Sequence, residues 1–457
     1  MCADQRKDKK ALPASGVFDL FSLSCVFAPL HLFHTFVRFL LGMKAFYNLG
    51  IILFTAVIRL AAPFNIRARQ WVAGRKGWHR SLEDQIDRRG RYIWIHCASL
   101  GEFEQGRPVI EAIKKQVPGH GIVLTFFSPS GYEVRKNYPG ADIIAYLPAD
   151  TPRNAERFIS LVNPVLVIFV KYEFWYNYIN KLQKKNIPLL LISAIFRPSQ
   201  HFFRWYGTLF RQMLKGFTHI FVQDSNSEVL LKGIGVNKIT IAGDTRFDRV
   251  AEITKAAGEI RELEIFRGGE KLFLAGSSWQ QDEEIIADYI NVHPEKMKWV
   301  FAPHEIDKQN IARLERLFRV DTVRFSRVGE APEARVLILD NMGMLSSAYR
   351  YACIAAVGGG FGRGIHNVLE PACWGIPVMF GPNYGNFREA VDLIKAGGAK
   401  SFKSLNEFTD IIEKWLNDDA FYLKSAQSAG RYVGENTGAT AEIMRKINQQ
   451  VINIPVS

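Results

Sequence analysis

Cysteine is scarce in this chain. Five stand in 457 residues, Cys2, Cys25, Cys97, Cys353 and Cys373. They are scattered, without a CxxC pair, which excludes a disulfide scaffold and a thiolate metal site and fits a reduced catalytic region in the cytosol. No DxD-type metal cluster is present, and there is no short internal repeat or low-complexity tract. The dinucleotide fingerprint is missing as well: in Gly358-Gly359-Gly360-Phe361-Gly362-Arg363-Gly364 the last required glycine is Arg363, which argues against a nicotinamide cofactor. Acidic residues are too few to balance the basic ones. The formal charge is +13 with a pI near 9.4, so the partner is expected to be anionic: nucleic acid, an acidic membrane face or a phosphorylated substrate.

What the chain does have is apolar patterning. Hydrophobic residues make up 48%, a folded composition, and the length calls for two domains. Val17 to Gly42 and Ala45 to Phe64 are each about as long as a membrane span, roughly 20 residues. The gap between them is short for a hairpin, so one span plus one interfacial helix is expected. Arg67, Arg69, Arg75, Lys76 and Arg80 follow, which places the downstream chain on the cytoplasmic side. Beyond them, short apolar runs alternate with amphipathic segments: Tyr92–Ala98, Ile122–Phe127, Ile143–Leu147, Val165–Val170, Leu189–Ser193, Ile220–Val222 and Ile239–Ala242. A second series comprises Leu272–Gly276, Trp299–Ala302, Val336–Leu339, Cys353–Val357 and Pro377–Phe380. Continuous apolar strands between helices predict parallel sheets covered on both faces. The expected α/β architecture is therefore an N-terminal extension and anchor (1–66), a Rossmann-like domain (67–248), a linker (249–270) and a second Rossmann-like domain (271–457). Ligands should sit at the carboxyl ends of the strands, in the cleft between the two domains.

The candidate chemistry lies at those ends. Glu102 follows the first strand in the first turn of a helix, where it serves either as a dipole-complementing carboxylate or as a general base. Glu173 follows the fourth strand. Arg246 closes the first half, as an anion contact or as a salt bridge to Asp244 or Asp248. In the second half, Pro303-His304 and Met342-Gly343-Met344 follow buried strands. The stretch Gly358 to Glu370 combines a glycine turn with a helix start, suited to phosphate and ribose; Asn367 and Glu370 also fit a capping box. Phe196 to Trp205 mixes aromatic and cationic residues, either as an interfacial loop or as a partly buried one.

Taken together, these motifs resemble the 3-deoxy-D-manno-octulosonic acid (Kdo) transferases of lipopolysaccharide synthesis. The residues that carry the resemblance are Ser99-Leu100-Gly101-Glu102, Glu173 to Asn177, Gly243 to Asp248, and His366-Asn367-Val368-Leu369-Glu370-Pro371 with Gly381-Pro382 and Asn386-Phe387. It runs from about Ala45 to the C-terminus and leaves residues 1–42 uncovered. It implies a GT-B fold, an inner-membrane location with the catalytic domains on the cytoplasmic face, CMP-Kdo as donor and a phosphorylated lipid A precursor as acceptor, inner-membrane lipids as neighbours, and no nucleic acid, metal or cofactor. Glu102 matches the general base, and Glu173 and Arg246 match positions that support the transition state. The CMP site would be built from Pro303, His304, Met342, Gly343, Met344, Asn367, Val368, Leu369 and Glu370. The chain departs from the family at His304, usually arginine, and at Arg246, usually lysine. Two alternatives are a GT-B transferase that moves a UDP-sugar to another membrane lipid, and a membrane-tethered protein that binds nucleotide or lipid without turnover.

Overall fold

A computed structural model describes residues 24–452, with side chains for residues 42–449. Two seven-stranded sheets, parallel throughout, form its two lobes. The first comprises β1 (Tyr92–Cys97), β2 (Gly121–Phe126), β3 (Ile143–Tyr146), β4 (Pro164–Val170), β5 (Leu189–Ala194), β6 (His219–Val222) and β7 (Ile239–Ile241), in the order β3-β2-β1-β4-β5-β6-β7. The second comprises β8 (Leu272–Ser278), β9 (Lys298–Pro303), β10 (Thr322–Arg324), β11 (Val336–Ile338), β12 (Ile354–Val357), β13 (Val378–Phe380) and β14 (Ala399–Ser401), in the order β10-β11-β9-β8-β12-β13-β14. Central strands such as Tyr-Ile-Trp-Ile-His-Cys are buried along their whole length because helices cover both faces. The strand order reverses between β1 and β4 in one sheet and between β8 and β12 in the other. Doubly wound folds open a crevice at such reversals, beyond the carboxyl ends of the strands.

The helix Ser24–Ala61 is continuous over 38 residues, about 57 Å at 1.5 Å per residue. This corrects the expected break into a span and a separate interfacial helix. No proline separates the two apolar segments, and a lone Gly42 costs only about 1 kcal/mol in a helix. The portion of the first apolar segment before Ser24 lies outside the described residues. Gly42–Ala61 is long and apolar enough to cross a membrane. Part of its surface is nonetheless tied to the first lobe. The Tyr47 hydroxyl donates to Asp150 (2.6 Å), Asn177 Nδ2 donates to Asn48 Oδ1 (2.9 Å), and Phe54 packs on Trp71 and Phe127. Phe46, Leu53 and Leu60 remain exposed.

Arg75, expected as one of the cytoplasmic flanking charges, is instead built into the lobe. Its guanidinium lies over Trp71 (3.9 Å) and donates to the carbonyls of Leu147 and Phe127 (both 2.8 Å), and burial pulls its pKa down to about 9. The 196–205 segment also divides: Phe196 and Phe202 are core, and Trp205 is exposed.

The second expected domain does not keep all of residues 271–457. The last helix, Ala439–Ile452, returns to the first lobe, where Ile443, Met444 and Ile447 join the core beside β1 and β4. Burying each of these side chains stabilises the association by roughly 1.5–3 kcal/mol. Asp248 caps this helix by accepting from the Gly438 and Thr440 N–H groups (both 2.6 Å), and so is not a partner of Arg246.

Candidate active site

Both topological reversals are furnished with side chains. In the first lobe, β1 runs into the helix Leu100–Gln116, whose first turn holds Glu102. Its Oε2 accepts from the Ser99 backbone N–H (3.0 Å), so the capping role is real. Glu102 is half-buried. Burial and the nearby Glu173 carboxylate push its pKa up to about 7, against the pull of the Ala98 and Ser99 N–H groups and of Lys171.

Glu173 follows β4, the strand beside β1. It is 5% exposed and paired deep in the lobe. His96 Nε2 lies 2.8 Å from its Oε2, and Trp175 Nε1–H donates to the same oxygen at 2.5 Å. His96 is fully buried, with Nδ1 against the Thr125 hydroxyl (2.9 Å) and carbonyl (3.1 Å). Glu173 is therefore held inside the lobe by His96 and Trp175. His96 was passed over in the sequence because a histidine inside an apolar strand carries no motif.

Arg246 is clamped between carboxylates. Nε and Nη2 donate to Asp244 Oδ2 (2.9 and 2.8 Å), and Nη1 donates to Glu389 Oε1 (2.8 Å) across the lobe boundary. The salt-bridge reading of this arginine thus holds for Asp244 and gains Glu389. Burial opposes the charge of Arg246, but the two carboxylates hold its pKa above the ordinary value. Burial likewise works against Asp244, and Arg246 brings that carboxyl below its usual range. Two of the five guanidinium N–H groups stay outside these bonds.

Lys171 completes the group. Burial, then Arg246, lowers its pKa, while Asp244, Glu102 and Glu389 pull it back, so its ammonium is a neighbour of the candidate base and of the Arg246 cluster. Lys171 has φ +66°, and Ser193 and Ser277, also at carboxyl ends of strands, have φ +52° and +49°. Left-handed backbone at non-glycine residues is held only where the surroundings enforce it, commonly at functional sites.

In the second lobe the glycine turn after β12 packs too closely for side chains. A Cβ on Gly360 would lie 2.6 Å from the Gly381 nitrogen. Glu370 faces the first lobe closely enough to feel Glu104 and Arg249, and burial raises its pKa. Its oxygens accept from Ser346 Oγ (2.6 Å) and Asn367 Nδ2 (3.1 Å), and Asn367 Oδ1 accepts from Leu369 N–H (3.2 Å). The capping box therefore closes through the Asn367 side chain, not through its backbone. Val368 and Leu369 are buried and lie on the short helix start, Leu369–Ala372. Met342 is exposed, and Gly343 has φ +91°, in the loop that Met344 ends after β11. Pro303 ends β9, and His304 stacks on Trp279 and His366.

The chain is similar to known proteins over most of its length. Residues 71–249 match the family model described as 3-deoxy-D-manno-octulosonic-acid transferase (kdotransferase). A 3-deoxy-D-manno-octulosonic acid transferase of Aquifex aeolicus is 29% identical over 330 residues, 70% of this chain and 84% of that protein. The transferase of the same description from Haemophilus influenzae is 27% identical over 417 residues, 86% of this chain and 94% of that protein. Among solved structures, the UDP-GlcNAc 2-epimerase from Neisseria meningitidis superimposes with a TM-score of 0.56 at 16% identity, covering 78% of this chain and 100% of that one. That likeness shows the shared two-lobed GT-B-like fold alone. Its first lobe matched by the family model and most of its length by the curated proteins, the chain is similar to the 3-deoxy-D-manno-octulosonic acid transferases.

Proposed function

We propose that this protein transfers Kdo from CMP-Kdo to a phosphorylated lipid A precursor, at the cytoplasmic face of the inner membrane, by one inverting displacement. The acceptor hydroxyl oxygen forms a bond to the anomeric carbon as the bond from that carbon to the CMP phosphate oxygen breaks. The electron pair leaves with CMP, and the hydroxyl proton passes to Glu102. The observation that carries this reading is the placement of Glu102. It is half-buried at the β1/β4 reversal, its pKa is raised to about 7, and the loops that would hold CMP stand on the other lobe. A base with that pKa is ionised enough at neutral pH to accept a proton and weak enough to release it afterwards. Lys171 adds positive potential near the base, and Arg246, its charge balanced by Asp244 and Glu389, has N–H groups left to donate to the leaving phosphate. The exposed apolar surface of Gly42–Ala61 and the net charge of +13 suit an anionic lipid acceptor.

Incubation with CMP-Kdo and a tetra-acylated, bisphosphorylated acceptor, read by mass spectrometry, should show product heavier by one or more Kdo residues. Activity should survive EDTA. Turnover only with a UDP-sugar would replace this reading.

A further inference from the structure

Trp279 and His366 lie side by side in nearly one plane. Their rings are 7° apart in tilt with centroids 6.4 Å apart, and Trp279 Nε1–H donates to His366 Nε2 at 3.0 Å. His304 stacks over both, at 4.6 Å and 21° from Trp279 and at 4.5 Å and 27° from His366. The result is a two-layer aromatic platform at the β8/β12 reversal. Burial and the neighbouring His304 bring the His366 pKa down to about 4, so the ring stays neutral and keeps accepting the indole N–H.

A cavity of about 590 Å³ adjoins this platform. Trp279, Gln280, Asp282, Gly359, Arg363 and His366 are among the residues that line it, and His304 is not. The cavity therefore meets Trp279 and His366 without being lined by His304. Asp282 is already engaged by the Trp279 and Gly359 backbone N–H groups (3.0 and 2.9 Å). Arg363 is the one basic side chain among the described lining residues. A flat ring face beside a single guanidinium suits a molecule with an apolar C–H face and a carboxylate. Neutral sugars lack the carboxylate.

We infer that the Trp279–His366 plane is the seat of the donor's acidic sugar, whose ring stacks on the indole while its carboxylate meets Arg363. This assignment rests on the proposed reaction and adds to it the group that distinguishes an acidic sugar from a neutral one. The adjacent Asn367–Glu370 segment would hold the phosphate, which puts the sugar next along the chain, over His366.

The test uses the full-length protein with CMP-Kdo and with CMP alone. Trp279→Ala should raise the KM for CMP-Kdo about five- to tenfold, the loss expected for a stacked ring. The inhibition constant of CMP should stay the same, and Trp279→Phe should recover most of the loss. Arg363→Gln should raise the same KM with CMP inhibition unchanged. Trp279 is 41% exposed, so an unchanged thermal midpoint in each variant checks that folding is intact. An unchanged KM in Trp279→Ala, with wild-type turnover normal, would overturn the inference and leave the reaction standing. An equal loss for CMP and CMP-Kdo would also overturn it, because the platform would then hold the base. Absence of wild-type turnover with CMP-Kdo would strike the reaction itself. In that case quenching of indole fluorescence by free Kdo, lost in Trp279→Phe, would still support the seat, and no quenching would sink it.

Discussion

The carboxyl ends of the two sheets are made of opposite materials. Around β1 and β4 the residues are ionic and held from behind: Glu102, Lys171 and Glu173, with His96 beneath. Around β8 and β12 they are mainly aromatic rings and bare glycine backbone, with the imidazole of His366 kept uncharged and with Asp282 and Arg363 as the charged side chains beside them. Moving a proton requires groups whose ionisation is tuned by burial and neighbouring charge. Gripping a nucleotide-linked sugar requires surface that backbone and ring faces can approach. Under the proposed function, one lobe serves the first task and the other the second.

The comparison breaks most readily at Glu102. Glu102→Gln should lower kcat about 10²- to 10⁴-fold while CMP still binds, as seen in single-turnover assays and calorimetry. Turnover near the wild-type rate would remove the first lobe from proton chemistry. The same variant should be more stable than the parent above pH 7. A carboxyl whose folded pKa is raised loses stability as pH climbs from the ordinary carboxylate range to about 7, and the amide does not.

Next in size, His96→Leu removes one partner from a buried pair and should cost roughly 3–5 kcal/mol in denaturant unfolding. An unaltered midpoint would show that Glu173 does not need the imidazole. The pH profile is a gentler probe. Protonated Glu102 cannot accept a proton, so kcat/KM should fall about tenfold per pH unit below about 7 and level off above it. A flat profile between pH 5 and 8 would place the essential base elsewhere. The smallest effect is expected at the lobe boundary, where Glu389→Gln removes one charge from a mostly buried pair but leaves an amide oxygen to accept from Arg246, which Asp244 still holds, and should shift stability by about 1 kcal/mol.

Most of the framework could be read from apolar runs bounded by turns, because buried parallel strands advertise themselves that way. The edge strands of the first sheet, Ile143–Tyr146 and Ile239–Ile241, could be read in this way, and those of the second could not. Thr322-Val323-Arg324 and Ala399-Lys400-Ser401 are three residues each and mostly polar, and they pair on one side only. Glu102 was visible through its place after a strand. Its raised pKa was not, since that depends on burial and then on Glu173, brought alongside by the β1–β4 pairing. Glu389 as a partner of Arg246, and Trp279 beside His366, join positions far apart in the chain, where local patterning is silent. The course of the last helix was hidden for a similar reason: its amphipathic pattern says that one face is buried, and not against which lobe.

That helix has a mechanical consequence. The chain passes between lobes twice, once before β8 and once ahead of Ala439, and the second crossing ends in the first lobe's own core. Two straps permit rocking about the line that joins them and resist both twisting and full separation. Any opening of the cleft must then be a hinge motion along that line, and a second lobe cut free at residue 271 would carry an orphaned greasy tail in search of a surface.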